Sequence, residues 1–257
     1  MNILAIGDIV GDCGVNFVRL RLPELKEEYD IDVCIANGEN AANGNGITTA
    51  AYHALCDSGV DALTLGNHAF GKKDVIPLLL HRDNIIRPIN YPSGAAGRGS
   101  MTLSCRGKTI GVVNALGRVN LLNIDCPFRA VEREVTRLSE KCDITIVDFH
   151  AEATSEKLAM GYFLDGRATC VFGTHIHVQT ADAQILPKGT GYISDLGMTG
   201  AACSVLGVKK EIIIDRFLTQ LPQRFENADG RAKLCGAVFT IDDNTNRCTG
   251  VQTVCVQ

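Results

Sequence analysis

The sequence has no tryptophan, only 5% aromatic residues, and a net charge of −4 rather than a positive one. That charge gives no electrostatic reason to expect binding to duplex nucleic acid, which normally requires a basic surface. No stretch reaches the ~18 apolar residues that would span a bilayer. The opening segment MNILAIGD lacks the basic region of a signal peptide. We therefore expect a cytoplasmic protein without a membrane partner.

The eleven cysteines include no C-x-x-C pair and lie scattered, mostly inside apolar runs such as VCIAN and ATCVFG. A disulfide scaffold is typical of short secreted chains, and this chain of 257 residues is not short. We expect the cysteines to be small buried hydrophobic residues in a reducing compartment.

Short β-branched runs alternate with helical patterns through the first third of the chain: NILAIG, IDVCIAN and VDALTLG are each followed by an amphipathic segment. This alternation predicts an α/β fold with parallel strands. After residue 85 the chain is richer in strand patterns, including EIIID at 211–215, with helices predicted near 128–140 and 155–165. We expect two packed sheets flanked by helices. With no repeat and no visible boundary, residues 1–257 are predicted to form a single domain.

Five of the predicted strands run into residues that can bind a metal or move a proton. Ligands of α/β proteins bind beyond the carboxyl ends of the strands, so these side chains are expected to converge. The candidates, in chain order, are Asp8, Glu39, Asn40, Asn67 with its neighbour His68, His150, His175 and His177.

Each candidate also has a structural interpretation. Asp8 could be a helix cap, Asn67 a turn residue and His150 a core histidine. The pair His175-x-His177 is more specific, because alternation along an extended segment would place both imidazoles on one face. His53 and His81 fall in helical patterns, and we interpret both as structural or solvated.

The donor atoms in this set are carboxylate, amide and imidazole groups, and no cysteine joins them. Such ligands suit Mn, Fe or Zn better than a thiolate site does. Two carboxylates, two amides and three imidazoles exceed the needs of one tetrahedral site and are enough for two sites if one carboxylate bridges them.

The motifs resemble those of the calcineurin-like metallophosphoesterases, whose pattern runs D-x-H, GD, GN-H-E, H and GH-x-H. Here Val10 stands where the first histidine is expected, and Glu39-Asn40 replaces the bridging aspartate. These departures resemble the bacterial YmdB-like branch. The segments that carry the resemblance, in order along most of the chain, are GDIVGDCG, ANGENAANGNGIT, LGNH, DFHAEATSEK, GTHIHVQTAD and YISDLGMTG.

The resemblance implies a four-layer fold of two mixed β-sheets sandwiched between helices, with a di-iron or di-manganese centre. It implies a first metal on Asp8, Asn40 and His177, and a second on Asn67, His150 and His175. Glu39 would bridge the two metals, and His68 would be an uncoordinated catalytic histidine. After His68 the chain reads Ala69-Phe70-Gly71, where this branch usually has a tryptophan and a polar residue.

The implied activity is hydrolysis of a small phosphodiester, notably a 2′,3′-cyclic nucleotide. A hydroxide bridging two metals would be the nucleophile, since coordination lowers the pKa of water from 15.7 to ~7. His68 would be the general acid, a role typically worth ~10²–10⁴-fold in rate. A homo-oligomer is possible on this sequence.

Two alternatives remain open at this point. A nucleotide-dependent oxidoreductase would use GDIVGDCG as a phosphate loop and Glu39 as a ribose ligand, but the first glycine spacing is too long for G-x-G-x-x-G. A regulatory or partner-binding protein could keep the metal site for stability alone. Such a protein would have no need of the uncoordinated His68.

Overall fold

The computed structural model describes all residues from Met1 to Gln257. Its thirteen strands form two sheets, and the chain also contains six helices. No helix is both long and apolar enough to cross a membrane.

The first sheet has seven strands in the order β2-β11-β12-β1-β3-β4, with β13 paired to β12. It is mixed, because β1, β3 and β4 run parallel while β12 lies antiparallel to β1. Its strands are β1 (Asn2–Ile6), β2 (Asp8–Ile9), β3 (Ile31–Asn37), β4 (Ala62–Thr64), β11 (Met198–Ala201), β12 (Ala232–Ile241) and β13 (Cys248–Val256).

The second sheet has six strands in the order β5-β6-β7-β8-β10-β9. The central four are parallel, and the two edge strands are antiparallel to their neighbours. Its strands are β5 (Ser100–Cys105), β6 (Lys108–Leu116), β7 (Ile144–His150), β8 (Cys170–Thr174), β9 (Gln184–Ile185) and β10 (Gly191–Ile193).

Helices cover the outer face of each sheet. On the first sheet lie α1 (Gly11–Glu28), α2 (Thr49–Asp57) and α3 (Val75–His81), and on the second lie α4 (Pro127–Ser139) and α5 (Thr154–Leu164). A core of 20 buried residues, including Ile3, Ile146 and Phe239, fills the space between the sheets. These four layers confirm the fold class expected from the sequence.

The segment EIIID was predicted as a strand, and that prediction is wrong: it lies in a helix, α6 (Lys210–Thr219), none of whose residues is buried. Three consecutive isoleucines favour a strand only where a pleated, half-buried surface accepts them. Here Glu211 lies in the first turn and Arg216 in the last, an arrangement that suits the helix dipole.

The expectation that the cysteines are buried holds for only part of the set. All eleven are free thiols, and the fully buried ones are Cys34, Cys170, Cys235 and Cys248. Cys203 is exposed in the bend after β11, and Cys255 is exposed because side chains of β13 alternate between the core and solvent.

Candidate metal centre and its cavity

The carboxyl ends of the two sheets meet at one edge of the molecule, and the candidate residues converge there. Asp8, Glu39 and His150 are fully buried, and Asn40 is buried as well. Asn67, His175 and His177 are half-buried at the mouth. By contrast, His53 in α2 and His81 at the end of α3 are exposed and outside this group.

Three atoms that could bind a metal lie close to the ring of His150. Its Nε2 lies 2.9 Å from Oε1 of Glu39, 2.9 Å from Oδ1 of Asn67 and 3.0 Å from Nδ1 of His175. Donor atoms of Glu39, His150 and His175 all lie within 4.8 Å of one another. Atoms that carry lone pairs repel at such distances unless a proton or a cation lies between them.

Each of the three imidazoles bonds an acceptor with its outer nitrogen. Nδ1 of His150 lies 2.9 Å from the Thr174 hydroxyl, which itself donates to Asp148 at 2.8 Å. That hydroxyl must therefore accept from His150, so Nδ1 carries the hydrogen and Nε2 is free. Partners of this kind orient histidine ligands and fix their tautomers at metal sites.

The other two histidines follow the same rule. Nε2 of His175 lies 2.9 Å from the carboxylate of Glu152, and Nδ1 of His177 lies 3.0 Å from the carbonyl oxygen of Leu206. Both contacts leave the inner nitrogen of the ring facing the centre. His150 and His175 thus present free lone pairs beside Glu39, and the inner nitrogen of His177 lies 3.2 Å from Nδ2 of Asn40.

Asp8 supplies a further signal. Its Oδ2 accepts a hydrogen bond of 2.9 Å from the backbone N–H of His175. Its Oδ1 is buried without any hydrogen-bond partner, and it lies 3.8 Å from Nε2 of His177. A buried carboxylate oxygen is costly to leave unpaired, so this atom is suited to bind a cation. The donor set therefore fits a metal site.

The pKa values of His150 and Glu39 are also consistent with a cation site. Burial alone would lower the pKa of His150, but the charge of Glu39 and its hydrogen bond raise it to about 9. Burial would likewise raise the pKa of Glu39, yet His150 lowers it to about 2. Without a metal, the charge of Glu39 favours a second proton on His150, at Nε2, and a bound cation would replace that proton.

The loop that contains His175 and His177 is not the extended segment that the sequence predicted. Strand β8 ends at Thr174, and the two histidines adopt left-handed backbone conformations with φ of 107° and 61° rather than extended ones. Both rings still face the centre, but strand alternation is not the reason. Non-glycine residues in this region are strained and cluster at functional sites.

A buried carboxylate holds that loop in place. Asp195 accepts hydrogen bonds from the backbone N–H groups of Ile176 and Gly197 and from the buried ammonium of Lys157, at 2.6 Å. Burial raises the pKa of Asp195 to about 6 although Lys157 opposes the shift.

Four residues around the centre were not found from the sequence: Asn37, Asp148, Glu152 and Thr174. Asn37 accepts from the backbone N–H of Glu39 at 3.1 Å and donates to Asp148 at 3.2 Å, so these side chains form a network below the ligands. A signal was present for Asp148, since it precedes His150 by two residues on one strand and shares its face.

Glycine at position 66 is required by the close approach of the backbone. A Cβ there would lie 2.4 Å from both Oε2 of Glu39 and Nε2 of His150. Oε2 of Glu39 also accepts from the backbone N–H of His68 at 2.9 Å. The Gly66–His68 turn thus brings Asn67 to the centre while the His68 side chain extends outside it.

Asn40 lies where the sequence lacks a histidine. An isolated parallel bridge pairs Asn40 with Val10, so its side chain lies next to the buried Val10. Its Nδ2 is 3.2 Å from Nε2 of His177 and 3.4 Å from Oε1 of Glu39. Rotation of the amide by 180° would turn Oδ1 toward the centre.

The centre opens into a cavity of about 610 Å³, within the size range of small-molecule sites. Glu39, His68 and His175 lie at its inner end, and Leu206 and Phe225 form an apolar wall. The Arg216 guanidinium lies 5.0 Å from the centre of the Phe225 ring. Both oxygens of Glu39 are already engaged, by His150 and by the backbone N–H of His68, so the carboxylate is not free to bind a ribose as the oxidoreductase interpretation requires.

Comparison with known proteins gives a consistent result. The chain is 45% identical over 256 residues to the 2′,3′-cyclic-nucleotide 2′-phosphodiesterase of Bacillus subtilis, covering 100% of this chain and 97% of that protein. The structure matches that of a hypothetical protein from Thermus thermophilus with a TM-score of 0.94 and 42% identity, covering 100% and 99% of the two chains.

A second solved structure, described as a novel phosphatase from Mycoplasma pneumoniae, matches with a TM-score of 0.94 and 34% identity over 100% of this chain and 93% of that one. The family described as YmdB-like protein matches residues 4–254. With nearly the whole chain matched, this protein belongs to the YmdB-like family.

Proposed function

We propose that this protein is a metal-dependent phosphodiesterase that hydrolyses 2′,3′-cyclic nucleotides, with two metal ions at the described centre. The observation that carries the proposal is the set of three imidazoles, each bonded to an acceptor through its outer nitrogen, with its inner nitrogen turned toward the centre. The name of the Bacillus subtilis relative supports the choice of substrate.

The donors divide into two groups around Glu39. Asp8, Asn40 and His177 would hold one metal, and Asn67, His150 and His175 would hold the other. Oε1 of Glu39 lies between the groups, 2.9 Å from His150 and 3.4 Å from Asn40, and would bridge them. Metals bound there would activate water at neutral pH and neutralise charge on the phosphoryl oxygens. The mixed oxygen and nitrogen donors favour iron or manganese, with zinc possible.

The reaction breaks one phosphorus–oxygen bond of the cyclic diester while the oxygen of water forms a new one. Departure of the 2′ oxygen would leave a 3′-phosphate, and that oxygen needs a proton. His68 is close to the centre but bonds none of the clustered donors through its ring. We assign it the role of general acid, which transfers a proton from Nε2 to the leaving oxygen.

The residues that line the cavity favour a nucleoside substrate over a small inorganic ester. Its inner end is polar, and the wall of Leu206 and Phe225 offers apolar surface on which a base can lie. Stacking on an aromatic ring is tolerant of base identity, which suits hydrolysis of several cyclic nucleotides.

The experiment is a substrate panel with protein that has been stripped of metal and then reloaded with Mn²⁺ or Fe²⁺. We expect turnover of 2′,3′-cyclic AMP that requires metal and yields the 3′-monophosphate. Phosphate monoesters should be poor substrates. Hydrolysis of monoesters only, or turnover that does not depend on metal, would contradict the proposal.

A further inference from the structure

The side chain of His68 has one hydrogen-bonding partner, and that partner lies on a different loop. Nδ1 of His68 is 3.1 Å from Oδ1 of Asn45, on the loop that follows Asn40. The backbone of His68 is fixed separately, through its N–H bond to Glu39. The two contacts hold the main chain and the ring of His68 by independent means.

The loop that carries Asn45 is ordered by its own backbone. The N–H of Asn45 donates to the carbonyl of Ala42 at 3.2 Å, and the N–H of Ala42 donates to the carbonyl of Gly46 at 2.9 Å. The N–H of Gly44 donates to the carbonyl of Asn40 at 3.0 Å. The position of Asn45 is therefore linked to Asn40, one of the proposed ligands.

Gly71 leaves the space that Asn45 occupies. A Cβ at this position would lie 2.1 Å from Oδ1 of Asn45, and the N–H of Gly71 donates to the carbonyl of His68 at 2.8 Å. Any side chain at position 71 would displace the amide from His68. The unusual Ala69-Phe70-Gly71 segment thus has a physical consequence, since its glycine permits the contact between Asn45 and His68.

We propose that Asn45 is a positioning residue for His68, an inference that rests on the proposed function. An amide oxygen can only accept a hydrogen bond, so the contact requires that Nδ1 of His68 carry its hydrogen. Nε2 is then the nitrogen that faces the cavity and exchanges a proton with substrate. A carboxylate or amide that orients a histidine in this way sets both its tautomer and its ring angle.

Asn45 undergoes no change in bonding during the reaction. As a general acid His68 is the doubly protonated imidazolium: its Nε2 proton moves to the ribose oxygen as the phosphorus–oxygen bond breaks, and the ring is left neutral with its hydrogen on Nδ1, bonded to Asn45. Loss of the acceptor would let the ring rotate or adopt the other neutral tautomer. The effect should thus appear only where the leaving oxygen needs a proton.

The test compares Asn45→Ala with Asn45→Asp on two substrates, using Mn²⁺-loaded protein. With 2′,3′-cyclic AMP, whose ribose oxygen needs a proton, Asn45→Ala should lower kcat by at least ~10-fold, a part of the ~10²–10⁴-fold typical of general acid catalysis. With bis-p-nitrophenyl phosphate, whose phenolate leaves unprotonated, kcat should stay within about 3-fold. Asn45→Asp retains an acceptor oxygen and should restore kcat on the cyclic nucleotide.

Asn244→Ala, at an exposed asparagine in the turn between β12 and β13, is the control and should leave both activities unchanged. Metal content should be equal in all variants. Equal losses on both substrates, no loss on either, or failure of aspartate to restore kcat would overturn the role of Asn45. If the unmutated protein hydrolyses neither substrate, the proposed function itself fails, which is a separate and distinguishable result.

Discussion

Two histidines contact opposite oxygens of the same carboxylate, yet their surroundings differ. His150 meets Oε1 of Glu39 from a fully buried position, with its outer nitrogen bonded to Thr174. His68 meets Oε2 through its backbone N–H, and its half-buried ring extends into the cavity. A buried imidazole with fixed hydrogen bonds suits a ligand, whereas a ring in contact with the cavity can exchange protons with substrate. Separate variants can test this division.

The largest effect is expected from Glu39→Ala, which removes the carboxylate that serves both histidines. Loss of the bridge should abolish binding of at least one metal and lower kcat by at least ~10³-fold, beyond the ~10²–10³-fold cost of removing one electrostatic contact. Elemental analysis and steady-state kinetics would measure both effects. Glu140→Ala, at an exposed glutamate, is the control. Full metal content in Glu39→Ala would contradict the bridging role.

His68→Ala should separate metal binding from proton transfer. Because the ring of His68 bonds none of the clustered donors, both metals should remain. The kcat for 2′,3′-cyclic AMP should fall by ~10²–10⁴-fold. Elemental analysis of the same preparation that is used for kinetics makes the comparison direct. The assignment would be wrong if metal content fell together with kcat, or if kcat were unchanged.

Thr174→Val tests the buried histidine of this pair, His150. The substitution keeps the shape of the side chain but removes the acceptor for Nδ1 of His150, so metal affinity should fall by ~10–100-fold. At saturating metal, kcat should recover to within about 3-fold, since the ring of His68 is untouched. Competition with a chelator would measure affinity, and Thr136→Val at an exposed helix position is the control. An unchanged affinity would show that Thr174 does not orient the ligand.

The smallest effect concerns the apolar wall rather than either histidine. Phe225→Ala should raise KM for cyclic nucleotides by ~10-fold, near the lower end of the ~1–3 kcal/mol of stacking on an aromatic side chain. The kcat should not change. Phe217→Ala, at a ring that is 72% exposed on α6, provides the control. A KM equal to that of the unmutated protein would remove Phe225 from the binding site.

The layers of the fold and the meeting of Asp8, Glu39, Asn67 and His150 could be predicted, because parallel strands place their carboxyl ends at a common edge. The hydrophobic periodicity identified those strands, and the polar residue at the end of each strand was then a candidate ligand. The helix at 210–219 could not be predicted, because its isoleucines carry a strand preference that no neighbouring strand satisfies.

The hydrogen-bonding partners of the histidines could not be predicted from the sequence either. Thr174, Glu152 and Asn45 reach His150, His175 and His68 across 24, 23 and 23 positions of sequence, respectively. No periodic pattern links residues that far apart. The left-handed backbone of His175 and His177 was equally hidden, since it depends on contacts of Asp8 and Asp195 that only the folded chain brings together.

The central claim is that two metals at one centre drive hydrolysis of a phosphodiester. The most direct test is a titration of metal-free protein with Mn²⁺ in which hydrolysis of 2′,3′-cyclic AMP is measured against equivalents added. We predict that activity is absent at zero equivalents and reaches its maximum at two per chain. Full activity without metal, or a maximum at one equivalent, would contradict the account.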